Sequence, residues 1–427
     1  MKMTKYKLGE LVEVTRGASL SGQFYAEEGK LIRLTLGNFN MNGGGFKENT
    51  SKTDLYFTGT VRDEFILNKG DIITPLTEQS LGLLGTTARI PESGKYIQSQ
   101  DVALVRCKEG LLDPNFCYYL ISSSIVRQQL SAAAQQTKIR HTSPEKIKDC
   151  TVWVPDFEVQ KNIGRILTDI DNKIAINRRI NDNLEAMAKL LYDYWFVQFD
   201  FPNEEGRPYK SSGGVMVWNE RLKREIPIGW TCCSIKEMCD INKKTMNKDE
   251  HKQIEYLDTG SITQGHISNT EIYSVDMAPS RAQRKVEDLS ILYSSVRPRL
   301  LHYGLLSTPK ENFIVSTGFV TLDAKCKKMA LMVYYFLTSN TITEHLASIA
   351  DTAVSSYPSI SPDDIAYLDI VIPSNDIIQK YNDIVEPMFR KMSTLRKEID
   401  SLTKQRDELL PLLMNGQVSV NYHLSAC

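Results

Sequence analysis

The 427-residue chain lacks the short motifs that mark most enzyme active sites. It contains no Gly-x-x-x-x-Gly-Lys-Ser/Thr phosphate loop, no His-Glu-x-x-His pair and no Asp/Asn-Pro-Pro-aromatic string. The six histidines are scattered, so no Ser/His/Asp or Cys/His set can be singled out. These absences predict that the chain by itself is not an enzyme.

Metal-binding cysteine pairs are also missing. Eight cysteines are present, but no two have the spacing Cys-x-x-Cys. Cys232, Cys233 and Cys239 form a cluster with His251 as the nearest possible fourth ligand, and this spacing matches no common zinc template. We therefore expect buried, reduced thiols and no metal site.

Long apolar runs are absent as well. The longest, at residues 330–337, is far too short to span a bilayer, and residues 1–13 contain no signal-peptide core. We expect a cytoplasmic protein without a membrane partner. The formal net charge is only −1, so any basic surface for phosphate must be local.

Two stretches have a local excess of positive charge. Residues 127–148 carry five cations and one anion, and residues 281–299 carry five cations and two anions. Such runs are often only solvated faces. Both stretches nevertheless lie outside the long helical segments, which favours a role in binding a ligand.

The chain contains an internal repeat. Its landmarks are an aromatic segment (115–120 and 332–337), a Ser-Pro pair, an apolar strand ending in proline and a Gln-Lys pair. The second copy follows the first at an offset of 217 residues at Tyr118, 218 at Pro144 and 219 at Gln160. Landmarks in the same order with nearly constant offsets indicate a duplication.

Each copy ends in a long helix with a heptad pattern, which predicts packing against another helix. We expect the two helices to pair antiparallel, because a single module separates them along the chain. Asn177 and Arg406 are polar seam residues that set the register, and Pro387 marks a start or a kink of the second helix. The predicted seam residues are Ile163, Ile170, Asn177, Leu184 and Leu191, and Tyr381, Met388, Leu395, Leu402 and Leu409.

The length of the first helix suggests a spacer. Residues 163–195 would form a rod of roughly 50 Å at about 1.5 Å per residue. A turn of DNA is about 34 to 36 Å long, so such a rod can hold two modules at least one turn apart. Antiparallel pairing would also relate the modules by an approximate two-fold axis, as in duplex DNA.

Four strings resemble the conserved regions of type I restriction-modification specificity subunits. They are Leu-Leu-Tyr-Asp-Tyr-Trp-Phe-Val-Gln-Phe-Asp-Phe-Pro at 190–202, Gly-Arg-Pro-Tyr-Lys-Ser-Ser-Gly-Gly at 206–214, Ile-Pro-Ile-Gly-Trp at 226–230 and Leu-Leu-Pro-Leu-Leu-Met-Asn-Gly at 409–416. The aromatic part of the first string is also explained by packing of the helix end onto a neighbouring domain. We favour packing there over stacking on bases.

The resemblance implies an α+β fold with two similar α/β target-recognition domains. Two long helices, packed as an antiparallel coiled coil with pseudo-two-fold symmetry, would separate these domains. The expected segments are a first recognition domain (1–155), a central helical spacer (156–201), a linker (202–229), a second recognition domain (230–373) and a C-terminal helical spacer and tail (374–427).

The resemblance also implies a non-catalytic subunit that binds double-stranded DNA. Each domain would read one half of a bipartite, asymmetric sequence, while the helices set the gap and dock two methyltransferase subunits. Restriction subunits would join this assembly. S-adenosylmethionine, ATP and Mg²⁺ are then expected on the partner subunits, with no cofactor on this chain.

Candidate DNA-contacting residues lie in loop-like stretches of both modules. Arginine and glutamine can form bidentate hydrogen bonds with guanine and adenine, whereas lysine more often contacts phosphate. A surface or structural role is the alternative for each residue. The candidates are Arg33, Asn38, Gln79, Gln135, Gln136, Lys138, Arg140, His141, Arg297, Arg299, His302, Ser355, Ser356 and Tyr357.

Two other classes of protein remain open from the sequence. One is a fused restriction or methylation enzyme with unrecognised catalytic motifs. The other is a structural coiled-coil scaffold without a DNA role, for which two unlike modules would be unnecessary.

Overall fold

The computed structural model describes residues 1–41, 44–78, 82–133, 140–247, 249–352 and 358–418. The chain divides into two compact units. Unit 1 comprises Met1–Ile176 and Glu398–Cys427, and unit 2 comprises Asn177–Lys397. Among the described residues, the structure contains no helix with the length and apolar character needed to cross a membrane.

Unit 1 is built from small sheets and short helices. Its strands are β1 (Thr4–Lys7), β2 (Val12–Arg16), β3 (Tyr25–Ala26), β4 (Leu31–Arg33), β5 (Tyr56–Phe57), β6 (Ile72–Pro75), β7 (Thr77–Glu78), β8 (Ala88–Arg89), β9 (Tyr96–Ile97), β10 (Val102–Cys107), β11 (Arg140–His141) and β12 (Thr151–Val154). Its helices are α1 (Leu8–Leu11), α2 (Pro114–Ser122), α3 (Ser124–Ala133), α4 (Pro144–Lys148) and the first part of α5 (Phe157–Tyr192).

The strands of unit 1 form two four-stranded sheets and two smaller pairs. One sheet has the order β2-β10-β6-β8 and is antiparallel. The other has the order β3-β5-β4-β9, in which β4 and β9 are parallel. β1 pairs with β12, and β7 pairs with β11.

Unit 2 contains the remaining elements. Its strands are β13 (Met216–Asn219), β14 (Arg224–Pro227), β15 (Thr231–Ser234), β16 (Cys239–Ile241), β17 (Gln253–Leu257), β18 (Ile262–Thr263), β19 (His266–Ile267), β20 (Glu271–Ser274), β21 (Ala282–Lys285), β22 (Ile291–Ser294), β23 (Tyr303–Leu305), β24 (Phe313–Ser316), β25 (Phe319–Ala324) and β26 (Asp369–Ile372). Its helices are α6 (Ile235–Met238), α7 (Ala330–Leu337), α8 (Asn340–Thr352), α9 (Pro362–Ala366) and most of α10 (Asn375–Met414).

The sheets of unit 2 repeat those of unit 1. The antiparallel sheet β16-β25-β22-β23 corresponds to β2-β10-β6-β8, and the pair β15-β26 corresponds to β1-β12. The sheet β20-β17-β24-β21 again contains one parallel pair, β17 with β24. The structure therefore confirms the duplication inferred from the spacing of the landmarks.

The repeated Ser-Pro pair has the same local role in both units. Ser143 and Ser361 are the N-caps of α4 and α9, and each side-chain oxygen accepts a hydrogen bond from the third backbone N–H of its helix. The following proline occupies the first helical position, where no N–H is needed. Two short helices thus begin at equivalent points, each just before a strand that leads into a long helix.

The two long helices run antiparallel within each unit. In unit 1, Arg406 of α10 forms an ion pair with Asp171 of α5 at 2.9 Å, and Lys173 pairs with Glu398. In unit 2, Arg396 of α10 lies 3.8 Å from Glu185 of α5. The Tyr381 ring lies 5.8 Å from that of Trp195. Within each unit, residues later in α5 thus contact residues earlier in α10, as expected for an antiparallel pair.

The predicted seam residues are all buried or half-buried. Those buried in α5 and α10 are Ile163, Asn177, Tyr381 and Leu395, and those half-buried are Ile170, Leu184, Leu191, Met388, Leu402 and Leu409. α10 begins at Asn375 and continues through Pro387. Of the two expected alternatives at this proline, a start or a kink of the helix, the start is therefore wrong.

The aromatic run at the end of α5 packs into the core of unit 2. α5 continues as a π-helical turn, Asp193–Val197, which places Trp195 and Phe196 beside Tyr381. The ring of Phe201 stacks on Trp230 at 4.8 Å. These side chains are at most 7% exposed, which confirms the interpretation of the run as a packing element.

Truncation of this aromatic core is expected to destabilise the protein strongly. Trp195→Ala should lower the free energy of unfolding by about 3 to 5 kcal/mol, because a fully packed ring is removed and a cavity remains. Denaturant titration followed by circular dichroism measures this change. Trp218→Ala is the matched control, since that ring is 57% exposed, and it should change stability by less than about 1 kcal/mol.

The described cysteines are free thiols in different surroundings. Cys117, Cys150 and Cys239 are buried, and Cys326 is exposed. Burial raises the pKa of Cys150 to about 11 and that of Cys239 to about 12. Because the thiolate is the reactive form, these two buried thiols are unreactive at neutral pH.

Thiol labelling should separate these cysteines. Iodoacetamide at pH 8 should modify Cys326 in the native protein and leave Cys150 and Cys239 unmodified, as read by mass spectrometry of peptides. Labelling in denaturant provides the control and should modify all three. Rapid native labelling of Cys239 would contradict its burial in the core.

Candidate nucleic-acid interface

Two stretches predicted to contact DNA lie side by side in unit 1. The segment that follows β6 pairs with the segment that precedes α4, although they are more than 60 residues apart in the sequence. Glu78 stands opposite Arg140, and Thr77 stands opposite His141. The N–H of Thr142 donates to the carbonyl of Leu76 at 2.8 Å. We call residues 76–78 and 140–142 the loop pair of unit 1.

The same backbone arrangement recurs in unit 2. Val296 forms an antiparallel bridge with Ser359. The N–H of Arg297 donates to the carbonyl of Pro358 at 2.9 Å, and the N–H of Ile360 donates to that of Ser295 at 2.8 Å. We call residues 295–297 and 358–360 the loop pair of unit 2. This second loop pair occupies the same position in its repeat as the loop pair of unit 1 does in the first repeat.

A buried carboxylate organises the loop pair of unit 1. Glu78 is only 3% exposed. Its Oε2 accepts hydrogen bonds from the backbone N–H groups of Gly82, Leu83 and Leu84 at 3.1, 3.0 and 3.0 Å. These three bonds supply part of the compensation that a buried charge requires. They also hold the start of the next segment against β7.

Two candidate DNA-contacting residues of unit 1, Arg140 and His141, belong to the loop pair. Nη1 of Arg140 lies 3.7 Å from Oε1 of Glu78 and donates to Oγ of Ser131 at 3.0 Å. The Arg140 side chain remains 26% exposed. His141 is exposed, and its Nδ1 lies 3.2 Å from Oγ1 of Thr77. Both side chains are therefore accessible to solvent at the loop pair.

The basic stretch at 127–148 is tied to the same surface. Arg127 of α3 donates from Nη2 to the carbonyl of Gly82 at 2.5 Å. Lys146 of α4 donates to the carbonyl of Ala133 at 2.8 Å. A groove of about 580 Å³ in unit 1 is lined by Glu78 and Arg127, among other residues. Two cations of the basic stretch are thus held by backbone carbonyls of unit 1.

The corresponding part of unit 2 is a strained turn. Arg297 and Leu301 have φ angles of 48° and 57°, and they flank the 3₁₀ turn Pro298–Leu300. Left-handed backbone is costly for residues with a side chain, and such strain concentrates at functional sites. The turn carries two exposed arginines, Arg297 and Arg299.

Arg299 and His302 have defined partners in unit 2. Arg299 forms ion pairs with Asp351 at 2.6 Å and with Glu344 at 3.2 Å, both from α8. Nδ1 of His302 lies 2.6 Å from the carbonyl oxygen of Ile262. Because a carbonyl oxygen can only accept, Nδ1 carries a proton.

The side chains of Arg33 and Asn38 make structural contacts within unit 1. Arg33 is 7% exposed, lies 3.8 Å from the ring centre of Tyr25 and pairs with Asp54 at 3.1 Å. Oδ1 of Asn38 accepts from the N–H of Thr35 at 2.9 Å. The Thr-x-x-Asn spacing is a capping-box pattern, and it could have indicated this structural role from the sequence.

The remaining candidates lie outside the described residues. They are Gln79, Gln135, Gln136, Lys138, Ser355, Ser356 and Tyr357. The sequence does not point to Glu78, Ser131, Glu344 or Asp351, which contact the candidate arginines in the structure. Pairing across the fold defines all of these roles, and local sequence carries no signal for it.

No metal centre is found in the part of the chain that the structure describes. Within the described residues, no group of three or more His, Cys, Asp or Glu side chains is arranged to hold a metal ion. The candidate interface contains arginine, histidine and carboxylate side chains.

Comparison with known proteins assigns this architecture to a family. The chain matches the model of the type I restriction modification DNA specificity domain at residues 1–186 and again at 227–404. It is 24% identical over 323 residues to the type I restriction enzyme MjaIX specificity subunit of Methanocaldococcus jannaschii, covering 73% of this chain and 71% of that protein. It is 26% identical over 156 residues to the type I restriction enzyme HindI specificity subunit of Haemophilus influenzae, covering 36% of this chain and 34% of that protein.

A solved structure supports the fold independently. The S subunit of a type I restriction-modification system from M. genitalium superposes with a TM-score of 0.64 at 18% identity, covering 97% of this chain and 96% of that one. At this identity the likeness establishes the fold alone. Together with the family match over both repeats, it shows that the chain belongs to the type I restriction-modification DNA specificity family.

Proposed function

We propose that the two loop pairs of this type I specificity subunit read the two halves of a bipartite, asymmetric DNA sequence. One observation supports the proposal: the two loop pairs have the same backbone pairing but carry different side chains. Glu78 and Arg140 stand where unit 2 has Arg297 and Pro358. Equivalent frames with unlike chemistry are what recognition of two different half-sites requires.

The side chains at these positions have suitable chemistry for double-stranded DNA. Guanidinium groups such as those of Arg140 and Arg297 form bidentate hydrogen bonds with O6 and N7 of guanine. His302, when its ring is neutral, offers Nε2 as an acceptor, which suits an exocyclic amino group of adenine or cytosine. The paired cation Arg299 suits phosphate, since such contacts position a protein without selecting a sequence.

We further propose that the long helices set the gap and dock two methyltransferase subunits. In unit 2, α5 carries an exposed apolar stripe formed by Ile180, Met187 and Leu190, which are 37%, 52% and 67% exposed. These residues lie within about 80° of one another around the helix at 100° per residue. An exposed apolar stripe of this kind supports docking of a protein partner.

Catalysis is proposed to reside in the partner subunits. In this proposal the chain is not itself an enzyme: methyltransferase and restriction subunits bind S-adenosylmethionine, ATP and Mg²⁺, and this chain binds none of them. Titration of S-adenosylmethionine into the isolated chain tests this division. Stoichiometric binding would instead support a fused methylation enzyme.

Replacement of a single arginine should affect one half-site only. Arg140→Ala in the chain assembled with its methyltransferase partners should weaken discrimination of the first half-site by about tenfold to a hundredfold, as expected for loss of a bidentate base contact. The target is first identified from methylated adenines in genomic DNA. Competition binding with duplexes mutated in either half then measures the discrimination.

Arg297→Ala is the reciprocal control for this experiment. It should weaken recognition of the second half-site and leave that of the first unchanged. Equal losses at both half-sites for either variant would contradict the modular assignment.

Lengthening both helices should lengthen the gap in the target. A heptad inserted after Arg178 in α5 and another after Asp400 in α10 would preserve the seam and add about 10 Å. The recognised sequence should then keep both half-sites and gain about three base pairs between them, since base pairs are about 3.4 Å apart. Mapping of methylated sites measures the gap, and an unchanged gap would refute the spacer role.

A further inference from the structure

The Glu78 carboxylate is the one buried acidic group of the unit 1 loop pair, and it has two different contacts. Oε2 is fully engaged by three backbone N–H groups, those of Gly82 to Leu84. Oε1 is buried, has no hydrogen-bond partner among the described residues and lies 3.7 Å from Nη1 of Arg140. One oxygen thus holds the backbone, while the other faces the guanidinium.

Two groups contact the same nitrogen of Arg140. Oε1 of Glu78 lies 3.7 Å from Nη1, and Oγ of Ser131 accepts from Nη1 at 3.0 Å. A guanidinium has five N–H donors in a rigid plane, so two contacts to one nitrogen restrict the directions of the remaining donors. An arginine ordered before binding loses less side-chain entropy when it contacts its target.

We propose that Glu78 is a positioning residue that orients Arg140 for contact with the first half-site. This inference rests on the proposed function, because it gives Arg140 a role in DNA recognition. Glu78 itself is 3% exposed and acts through the arginine. Its charge also keeps the arginine near the loop pair, since departure of the cation would leave Oε1 buried without compensation.

Unit 2 handles its arginines differently. The position equivalent to Glu78 is Arg297, and the position equivalent to Arg140 is Pro358. The carboxylates beside Arg299 are Glu344 and Asp351, which are 53% and 51% exposed. Exposed ion pairs contribute little, so Glu344 offers a matched control for the buried Glu78.

Glu78→Gln separates the two contacts of this side chain. The amide oxygen can still accept from the three backbone N–H groups, while the amide nitrogen replaces Oε1 and cannot accept from Arg140. In the complete chain assembled with its methyltransferase partners, this variant should lower discrimination of the first half-site by about tenfold. Discrimination of the second half-site should stay unchanged, and Glu344→Gln should change either by less than about threefold.

A double variant distinguishes positioning from an independent role. Because Glu78 acts through Arg140, adding Glu78→Gln to Arg140→Ala should cause no further loss of discrimination. Amide hydrogen exchange at Gly82 to Leu84 should remain slow in Glu78→Gln, which shows that the loop is intact. Losses that multiply in the double variant, or amides that lose protection, would overturn the positioning role.

The outcomes also separate this inference from the proposed function. If Arg140→Ala weakens the first half-site and Glu78→Gln does not, the positioning role fails while the recognition role of Arg140 stands. If Arg140→Ala leaves both half-sites unchanged, the assignment of Arg140 to DNA recognition itself fails.

Discussion

Apolar packing between α5 and α10 is the interaction on which the rest of each unit depends. In unit 1, Ile163 and Leu167 of α5 share a core with Leu413 and Met414 of α10, although about 250 residues of chain separate them. The ion pair of Arg406 with Asp171 adds a polar layer, and Tyr119 of α2 donates to the same carboxylate at 2.6 Å. The helix pair and the sheet-bearing module are therefore joined through one core and one hydrogen-bonded cluster.

On this frame the two units share a backbone plan and differ in side chains. Hydrogen bonds between the segment after β6 or β22 and the segment before α4 or α9 recur because the buried strand and the Ser-Pro cap place both segments at the same edge. Backbone pairing does not depend on side-chain identity. A carboxylate can therefore occupy position 78 while an arginine occupies position 297, and recognition can differ between the units without a change of fold.

Whether the role of a site residue can be predicted from the sequence depends on how far along the chain its contacts lie. The Ser-Pro pairs and the heptad stripes are patterns of spacing, and the aromatic run is a pattern of composition, so the sequence shows them although their packing partners are distant. The sequence suggests Arg33 and Asn38 as candidate DNA contacts, whereas in the structure Tyr25, Asp54 and Thr35 engage them within unit 1. The role of Glu78 depends on Arg140, 62 positions later, and no local pattern announces such a pair.

The sequence by itself determined the duplication, the two long amphipathic helices and the family, because repeats, periodicity and conserved strings are properties of order along the chain. Tertiary structure alone decided that α10 passes through Pro387, that Glu78 faces Arg140 and that Arg297 and Leu301 adopt left-handed backbone. The reason is physical. These features depend on which distant segments share a buried surface, where an uncompensated charge or an unpaired backbone group is too costly to remain.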